Sequence, residues 1–256
     1  MKELRDIAAD VIPLVTRAGA MARKAFGVSP VAITKRGGDL ATAVDLQVNA
    51  LIVSALCKQF PRWGIISEET KAIKPGADYT WILDPIDGSK HYALGIPFYG
   101  ISLALRHRED LLVGVVYAPH TRELFHAARG LGAFRNGRRI SCGRVADDLA
   151  KAIVCVELPS RHGGVRKLDR ALARLRALML ACQRVRVIGV TSLGMCYCAT
   201  GAFGAYVNLG SSPHAVWDWA GGACILHEAG GVVSARHGVT VAGNPAVHDG
   251  LRRLIR

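Results

Sequence analysis

Nine residues, Trp81-Ile82-Leu83-Asp84-Pro85-Ile86-Asp87-Gly88-Ser89, constrain this chain more than any other stretch. A short apolar run ends in one carboxylate, and a second follows three residues later, just before a glycine. Trp81, Ile82 and Leu83 read as a buried strand. Asp84 closes that run, and Pro85, fixed in φ and lacking an N–H, is expected to turn the chain so that Asp87 returns toward the same point. Asp84, Asp87 and the Ile86 carbonyl between them supply the oxygens that a hard cation such as Mg²⁺ takes. Gly88 and Ser89 then offer backbone N–H groups at an expected helix start, where a phosphate sits well. An ordinary Asx-Pro turn would use the same spacing. The two readings part on whether other acids converge on this turn.

Acids are scarce enough for their placement to be informative: 20 Asp and Glu stand against 33 Lys and Arg, a formal charge of +13. Asp39, Asp45, Glu68, Glu69, Asp84, Asp87 and Asp218 nevertheless all fall at motif positions, which suggests that they serve a local cation. Residues 2–25 place apolar side chains at helical spacing, mildly interrupted at Pro13, and a strand over 31–34 leads to a loop over 35–39. Thr42 or Asp45 opens a second helix, with Asp45 in its first turn, where the helix dipole alone would favour an acid. Residues 64–67 read as a brief strand presenting Glu68 and Glu69. Residues 99–105 and 111–117 form a hairpin, 123–127 a further strand, and Asn136-Gly137 a tight turn.

The polar run 141–151 marks a seam. It divides a 1–145 N-terminal α+β lobe, carrying most of the proposed metal ligands, from a 146–256 C-terminal α/β lobe. Beyond it the pattern predicts a strand over 152–157, a helix within 161–182, a strand over 185–188, a short helix over 192–200 and a strand over 204–209. A helix over 217–229 carries Asp218 in its first turn, followed by a strand over 232–234 and a basic helix from Pro245. Periodicity alone supports an α/β chain in two lobes, whose carboxylates must meet in a cleft between them.

Composition narrows the function classes. Half the residues are apolar, but no apolar run approaches the roughly 20 residues of a membrane span, and the N-terminus lacks a signal peptide's basic-then-apolar order, so a soluble, cytoplasmic protein is expected. The seven cysteines are odd in number; Cys57, Cys155, Cys182 and Cys224 lie in apolar context and read as reduced core thiols. Cys196 and Cys198 are too close, and lack a second pair, for a zinc site. The basic balance suits anionic partners. The arginines of 161–182 lack interleaved aromatics for base stacking and read as solvated surface.

The stretch Asp84-Pro85-Ile86-Asp87-Gly88-Ser89 resembles the first signature of the inositol monophosphatase family of Mg²⁺-dependent, lithium-sensitive phosphatases. Asp39-Leu40-Ala41-Thr42-Ala43-Val44-Asp45, Ile66-Ser67-Glu68-Glu69-Thr70 and Gly130-Leu131-Gly132-Ala133-Phe134-Arg135-Asn136-Gly137 agree with it in order. So does Trp217-Asp218-Trp219-Ala220 running into Glu228-Ala229-Gly230-Gly231, which is similar to the second signature. The resemblance implies a layered αβαβα sandwich of the inositol monophosphatase and fructose-1,6-bisphosphatase type, a homodimer, and two or three Mg²⁺ ions for which Mn²⁺ can substitute. It implies that Glu68, Asp84 and the Ile86 carbonyl hold one ion and that Asp84, Asp87 and Asp218 hold another. Asp45 and the Ser89 hydroxyl, with Glu68, would orient and activate the attacking water. Gly88 and Ser89 would bind phosphate, and Asn208 and Asp218 would face the rest of the substrate.

Several residues depart from the family pattern. Ser89 stands where Thr is commoner, which keeps the hydroxyl. Lys90-His91-Tyr92 replaces an Asn-containing run, and Lys90 and Ser67 are reminiscent of the related 3'-phosphoadenosine 5'-phosphate phosphatases. Asn208 occupies the place of a Glu that holds inositol hydroxyls; the alternative is that Asn208 is a turn residue before Gly210 and another side chain, such as His214, reaches the substrate. The expected activity is hydrolysis of a small phosphate monoester, inositol monophosphate or a similar polyol or sugar phosphate. The alternatives are 3'-phosphoadenosine 5'-phosphate or histidinol phosphate as substrate and, from another class, a basic nucleic-acid-binding or regulatory protein on a phosphatase fold.

Overall fold

The structure is a computed structural model that describes residues 3–27, 32–34, 40–144, 148–159, 164–210, 216–236 and 238–255. The loop over 35–39 with Asp39, and 211–215 with His214, lie outside the described residues. Helix α1 (Leu4–Ala25) runs through Pro13 unbroken. A short hairpin of β1 (Ala32–Thr34) and β2 (Leu40–Thr42) then leads into α2 (Ala43–Gln59). Strands β3 (Gly64–Ser67) and β4 (Tyr79–Asp87) pair in parallel, and after the five-residue α3 (Ser89–Ala93) the chain adds β5 (Gly100–His107), β6 (Asp110–Ala118), β7 (Glu123–Ala128), β8 (Gly132–Arg135) and β9 (Arg138–Ile140) antiparallel in sequence order. Asn136 and Gly137 make the two-residue turn between β8 and β9, both at positive φ (49° and 76°), as the tight hairpin turn requires.

The second sheet begins beyond the polar seam. It comprises β10 (Ile153–Glu157), β11 (Arg184–Arg186), β12 (Ala205–Asn208), β13 (Val232–Arg236) and β14 (Val239–Gly243), in the order β11-β10-β12-β14-β13. Four helices accompany it: α4 (Val165–Ala181), α5 (Thr191–Ala199), α6 (Val216–Glu228) and α7 (Pro245–Leu254).

Three apolar layers hold these elements as an αβαβα sandwich. Val11, Val15, Val48, Ile52 and Leu56 of α1 and α2 pack on Trp81, Leu83, Leu103 and Val113 on one face of the first sheet. Leu193, Met195, Ala223 and Ile225 of α5 and α6 fill the middle, between Val116, Phe125 and Ala127 on one side and Tyr206 and Ala242 on the other. Ala171, Leu178, Val247 and Leu251 of α4 and α7 cover the outer face of the second sheet over Val154, Val156, Val207 and Val241. Burial of each large side chain contributes about 1.5–3 kcal/mol. The first sheet is covered on both faces, so β4 is a near-continuous apolar run rather than an alternating one.

Some expectations need correction. Strand β4 does not stop at Asp84: it continues to Asp87 through an irregularity in its pairing with β5. Pro85 therefore sits within the strand, where no ladder partner needs its missing N–H. Two strands lie outside the sequence expectation, β2 in the first hairpin and β14, which sits between β12 and β13; β13 itself runs on to Arg236. Cys57 is exposed, whereas the other six cysteines are buried; all seven are free thiols.

Candidate active site

The irregularity in β4 explains how one strand delivers two carboxylates to one place. Residues three apart on a regular strand point to opposite faces. Here Asp84 pairs with Ser102 and Asp87 with Gly100, so β4 spends one residue more than β5 over the same span. That extra residue reverses the alternation and brings both acids to the same side. The Ile86 N–H bonds Asp84 Oδ1 at 3.1 Å and fixes the bulge from within. Gly88 follows at φ 95°, a left-handed conformation that favours glycine, and a side chain there would press to 2.9 Å from Val190.

Neighbouring elements bring in the other acids. In the parallel register Ser67 lies beside Leu83, which sets Glu68 next to Asp84, and the Glu68 N–H bonds the Leu83 carbonyl at 3.3 Å. The Ser67 hydroxyl donates to Asn49 Oδ1 at 2.6 Å, both residues being buried, and so ties the end of β3 to α2. From the other half of the chain, α6 enters between the first sheet and α5. Gly221 and Gly222 make this possible, because added Cβ atoms would stand 2.4 Å from Ser102 Oγ and 2.8 Å from both the Ser192 carbonyl and Met195 Cβ. The first turn of α6 rests on Ile82 and Ala104 through Ala220, Val216 and Trp217. As a result, one carboxylate oxygen from each of Glu68, Asp84 and Asp218 lies within 4.8 Å of the others.

Asp45 is shared between two tasks. Thr42 is the N-cap of α2 and Asp45 its third residue, forming a reciprocal capping box. Asp45 Oδ2 accepts the Thr42 N–H at 2.8 Å and the Thr42 hydroxyl at 2.5 Å. Oδ1 is left for the Ser89 hydroxyl at 2.7 Å, which also has the Ile86 carbonyl at 2.8 Å. One hydroxyl hydrogen thus has two acceptors in reach. The helix-dipole explanation for an acid at this position and the chemical one are both satisfied, by different oxygens.

Electrostatics set this cluster apart from an ordinary turn. Burial pushes the Asp84 carboxyl well above its usual range, and Asp87, Glu68, Asp218 and Asp45 around it push the same way. Burial raises Asp87 to about 7 and Asp218 adds to the rise, while hydrogen bonding from Ser192 pulls it down. The Ser192 N–H, at the start of α5, reaches Asp87 Oδ2 at 2.7 Å. Two buried carboxyls that resist ionisation, amid acids that repel them, form a site completed by a cation. The donors are all oxygens, with no cysteine or histidine in the set, which fits Mg²⁺ or Mn²⁺ and not zinc.

Other named residues take different places. Asn208, buried at the end of β12, turns its Oδ1 back to the Gly210 N–H at 2.6 Å, so that oxygen is committed to the turn. His91 Nδ1 lies 2.9 Å from the Phe98 carbonyl and holds the segment after α3. Reading the sequence missed Ser192, Asn49 and the Gly221-Gly222 pair. Thr-x-x-Asp at 42–45 carried a capping signal, whereas nothing local marks Ser192, whose partner lies 105 residues away.

Known proteins share this chain's sequence pattern and fold. The family model for the inositol monophosphatase family matches residues 3–251. The chain is 36% identical over 234 residues to a protein of Pseudomonas aeruginosa called Nus factor SuhB, covering 87% of this chain and 84% of that one. It is 38% identical over 231 residues to inositol monophosphatase 2 of Rattus norvegicus, covering 87% and 77%. Its fold overlays the crystal structure of the extragenic suppressor protein SuhB of Bartonella henselae with a TM-score of 0.90, at 27% identity and 98% coverage of both chains. An inositol monophosphatase structure from Thermotoga maritima overlays at 0.86, with 28% identity and 98% and 96% coverage. A match over nearly the whole length, with the bulged β4 and the acids gathered round it, shows that the chain belongs to the inositol monophosphatase family.

Proposed function

We propose that this chain is a divalent-metal-dependent phosphatase of small phosphate monoesters, inositol monophosphate or a similar polyol or sugar phosphate. The observation that carries the reading is the convergence of Glu68, Asp84 and Asp218 on one point, with Asp84 buried and its carboxyl held far from easy ionisation. Glu68, Asp84 and the Ile86 carbonyl would hold one ion, and Asp84, Asp87 and Asp218 a second. Bound Mg²⁺ supplies what uncatalysed hydrolysis of a monoester lacks, an acidified water and charge neutralisation on the phosphoryl oxygens.

The chain's own groups do the rest. Ser89 donates to Asp45 Oδ1, which leaves its oxygen lone pairs to accept from a water; the water's proton then has a path to Asp45 through the hydroxyl. Thr42, bonded to the other oxygen of Asp45, keeps that carboxylate aimed. Gly88 and Ser89 N–H groups receive the phosphate. Asp218 brings the second half of the chain to Glu68 and Asp84.

A screen of phosphate release over inositol, sugar, histidinol and nucleotide monophosphates, 3'-phosphoadenosine 5'-phosphate and glycerol 2-phosphate tests the proposal. Mg²⁺-dependent release from inositol or sugar phosphates supports it, preferred turnover of a nucleotide or histidinol phosphate moves the substrate class, and no release from any compound overturns it. Light scattering checks the homodimer that accompanies this reading. A second reading, a basic nucleic-acid-binding or regulatory role, is favoured by the +13 charge and by the relative called a Nus factor. RNA binding that weakens steeply with salt and needs no Mg²⁺ would support it.

A further inference from the structure

Three strands of the second sheet run parallel, with β11 and β12 flanking β10 on its two sides. The chain leaves β10 for α4, which covers the outer face, and leaves β12 for α6, which packs in the middle layer. The connections from these two neighbouring strands therefore part at their carboxyl ends. Such a switch point opens a crevice, the place where open α/β sheets bind ligands. Glu157 and Asn208 are the last residues of the two strands and partners in the parallel register. Side chains alternate along a strand. Val154, Val156 and Val207 face the outer layer and Cys155 and Tyr206 the middle one, so Glu157 and Asn208 project together on the side of α5. There the Thr191 hydroxyl lies 2.9 Å from the Tyr206 hydroxyl, and the next residue, Ser192, holds Asp87 through its N–H. Charge agrees with this placement: burial and then Glu157 raise the Cys155 thiol and the Tyr206 hydroxyl, and Glu157 also adds to the burial that raises Asp87. The proposed hydrolysis makes no use of Glu157, which is half-buried beside it.

We infer that Glu157 is a specificity residue of this site, taking the hydroxyls of an uncharged polyol leaving group; the inference rests on the phosphatase reading above. A monoester held by its phosphate must send its other end out of the metal cluster, and the crevice at β10 and β12 is the wall that the second sheet presents to Asp87. A carboxylate only accepts hydrogen bonds, through two oxygens, and so suits two neighbouring hydroxyls; bonds to a charged acceptor are about twice as strong as neutral ones. Asn208, with Oδ1 taken by the Gly210 N–H, has N–H donors to offer the oxygen of such a hydroxyl. An ammonium group can only donate and matches Glu157 without matching that amide. A leaving group with a second phosphate would set like charge against Glu157.

The test compares phosphate release from inositol 1-phosphate, from propyl phosphate, which has no hydroxyl, and from 3'-phosphoadenosine 5'-phosphate, at saturating Mg²⁺, for wild type, Glu157→Gln and Glu157→Ala. Glu157→Gln should raise KM for inositol 1-phosphate about tenfold with little change in kcat, the mark of a contact made equally in the bound and transition states. Glu157→Ala should lose at least as much. Turnover of propyl phosphate should stay within about twofold of wild type in both variants, which also reports that they are folded. Wild type should prefer inositol 1-phosphate to 3'-phosphoadenosine 5'-phosphate, and the preference should shrink in Glu157→Gln. An equal loss on inositol 1-phosphate and propyl phosphate overturns the inference, because Glu157 then acts through Asp87 and the metal site. An unchanged ratio between those two substrates, or a wild type that prefers 3'-phosphoadenosine 5'-phosphate, overturns it as well. Failure of the phosphatase reading itself would look different: wild type would release phosphate from none of the three, and the inference would fall with it.

Discussion

Asp84 is costly to bury and informative for that reason. It is 2% exposed and surrounded by four other acids, so the protein without a cation holds it at a loss. Asp84→Asn removes that repulsion. In chelator the variant should therefore melt above wild type, and Mg²⁺ should raise wild type without moving the variant; a scanning fluorimetry series checks both. Asp87 makes the same argument in pH. Its folded carboxyl titrates near 7, above the ordinary unfolded value of about 4. Between those values the folded state binds more protons than the unfolded one, so this group's stabilisation is complete below about pH 4 and is lost as pH rises through 7. Denaturant unfolding in chelator should show wild type losing stability relative to Asp87→Asn across pH 5 to 7, by a few kcal/mol. A difference that is flat or rises with pH would contradict the burial argument.

At the scale of elements, the meeting of α6, α5 and the first sheet places Asp218. Gly222→Ala would put a Cβ 2.8 Å from both Met195 Cβ and the Ser192 carbonyl, neither of which is the free end of a flexible side chain. Because α5 also carries the N–H that holds Asp87, the shift should weaken Mg²⁺ binding as well as cost about 1–3 kcal/mol of stability. Calorimetric titration and thermal melting measure the two effects separately. Local pattern made much of this architecture legible: the apolar run into Asp84, the hairpin of β5 and β6, the Asn136-Gly137 turn and the Asp at the start of α6 all announce themselves within a few residues. The bulge at Pro85 did not, since proline signals a turn as readily as a strand irregularity, and only the pairing with Ser102 and Gly100 distinguishes them. Gly221 and Gly222 were opaque for the same reason: glycine inside a helix reads as weak propensity until the neighbours it admits are known. Asn208, set by the resemblance at a substrate contact and by its place before Gly210 at a turn, accepts the Gly210 N–H through its oxygen, a bond that agrees with the turn.

For the whole molecule, the layered sandwich brings one acid from the second half of the chain to several from the first, and each is of little use alone. A basic chain that gathers its few acids at one buried point should owe its activity to a hard dication, and zinc should substitute poorly for Mg²⁺ or Mn²⁺ in a release assay. The most direct measurement is phosphate release from inositol monophosphate and glycerol 2-phosphate, titrated with Mg²⁺ from a chelated start, for wild type and Asp84→Asn side by side. The geometry predicts no release in chelator, saturable activation of wild type, and a folded Asp84→Asn protein slower by about a thousandfold or more, a loss of several kcal/mol of transition-state stabilisation. Release that persists in chelator, or normal turnover by folded Asp84→Asn, would contradict it.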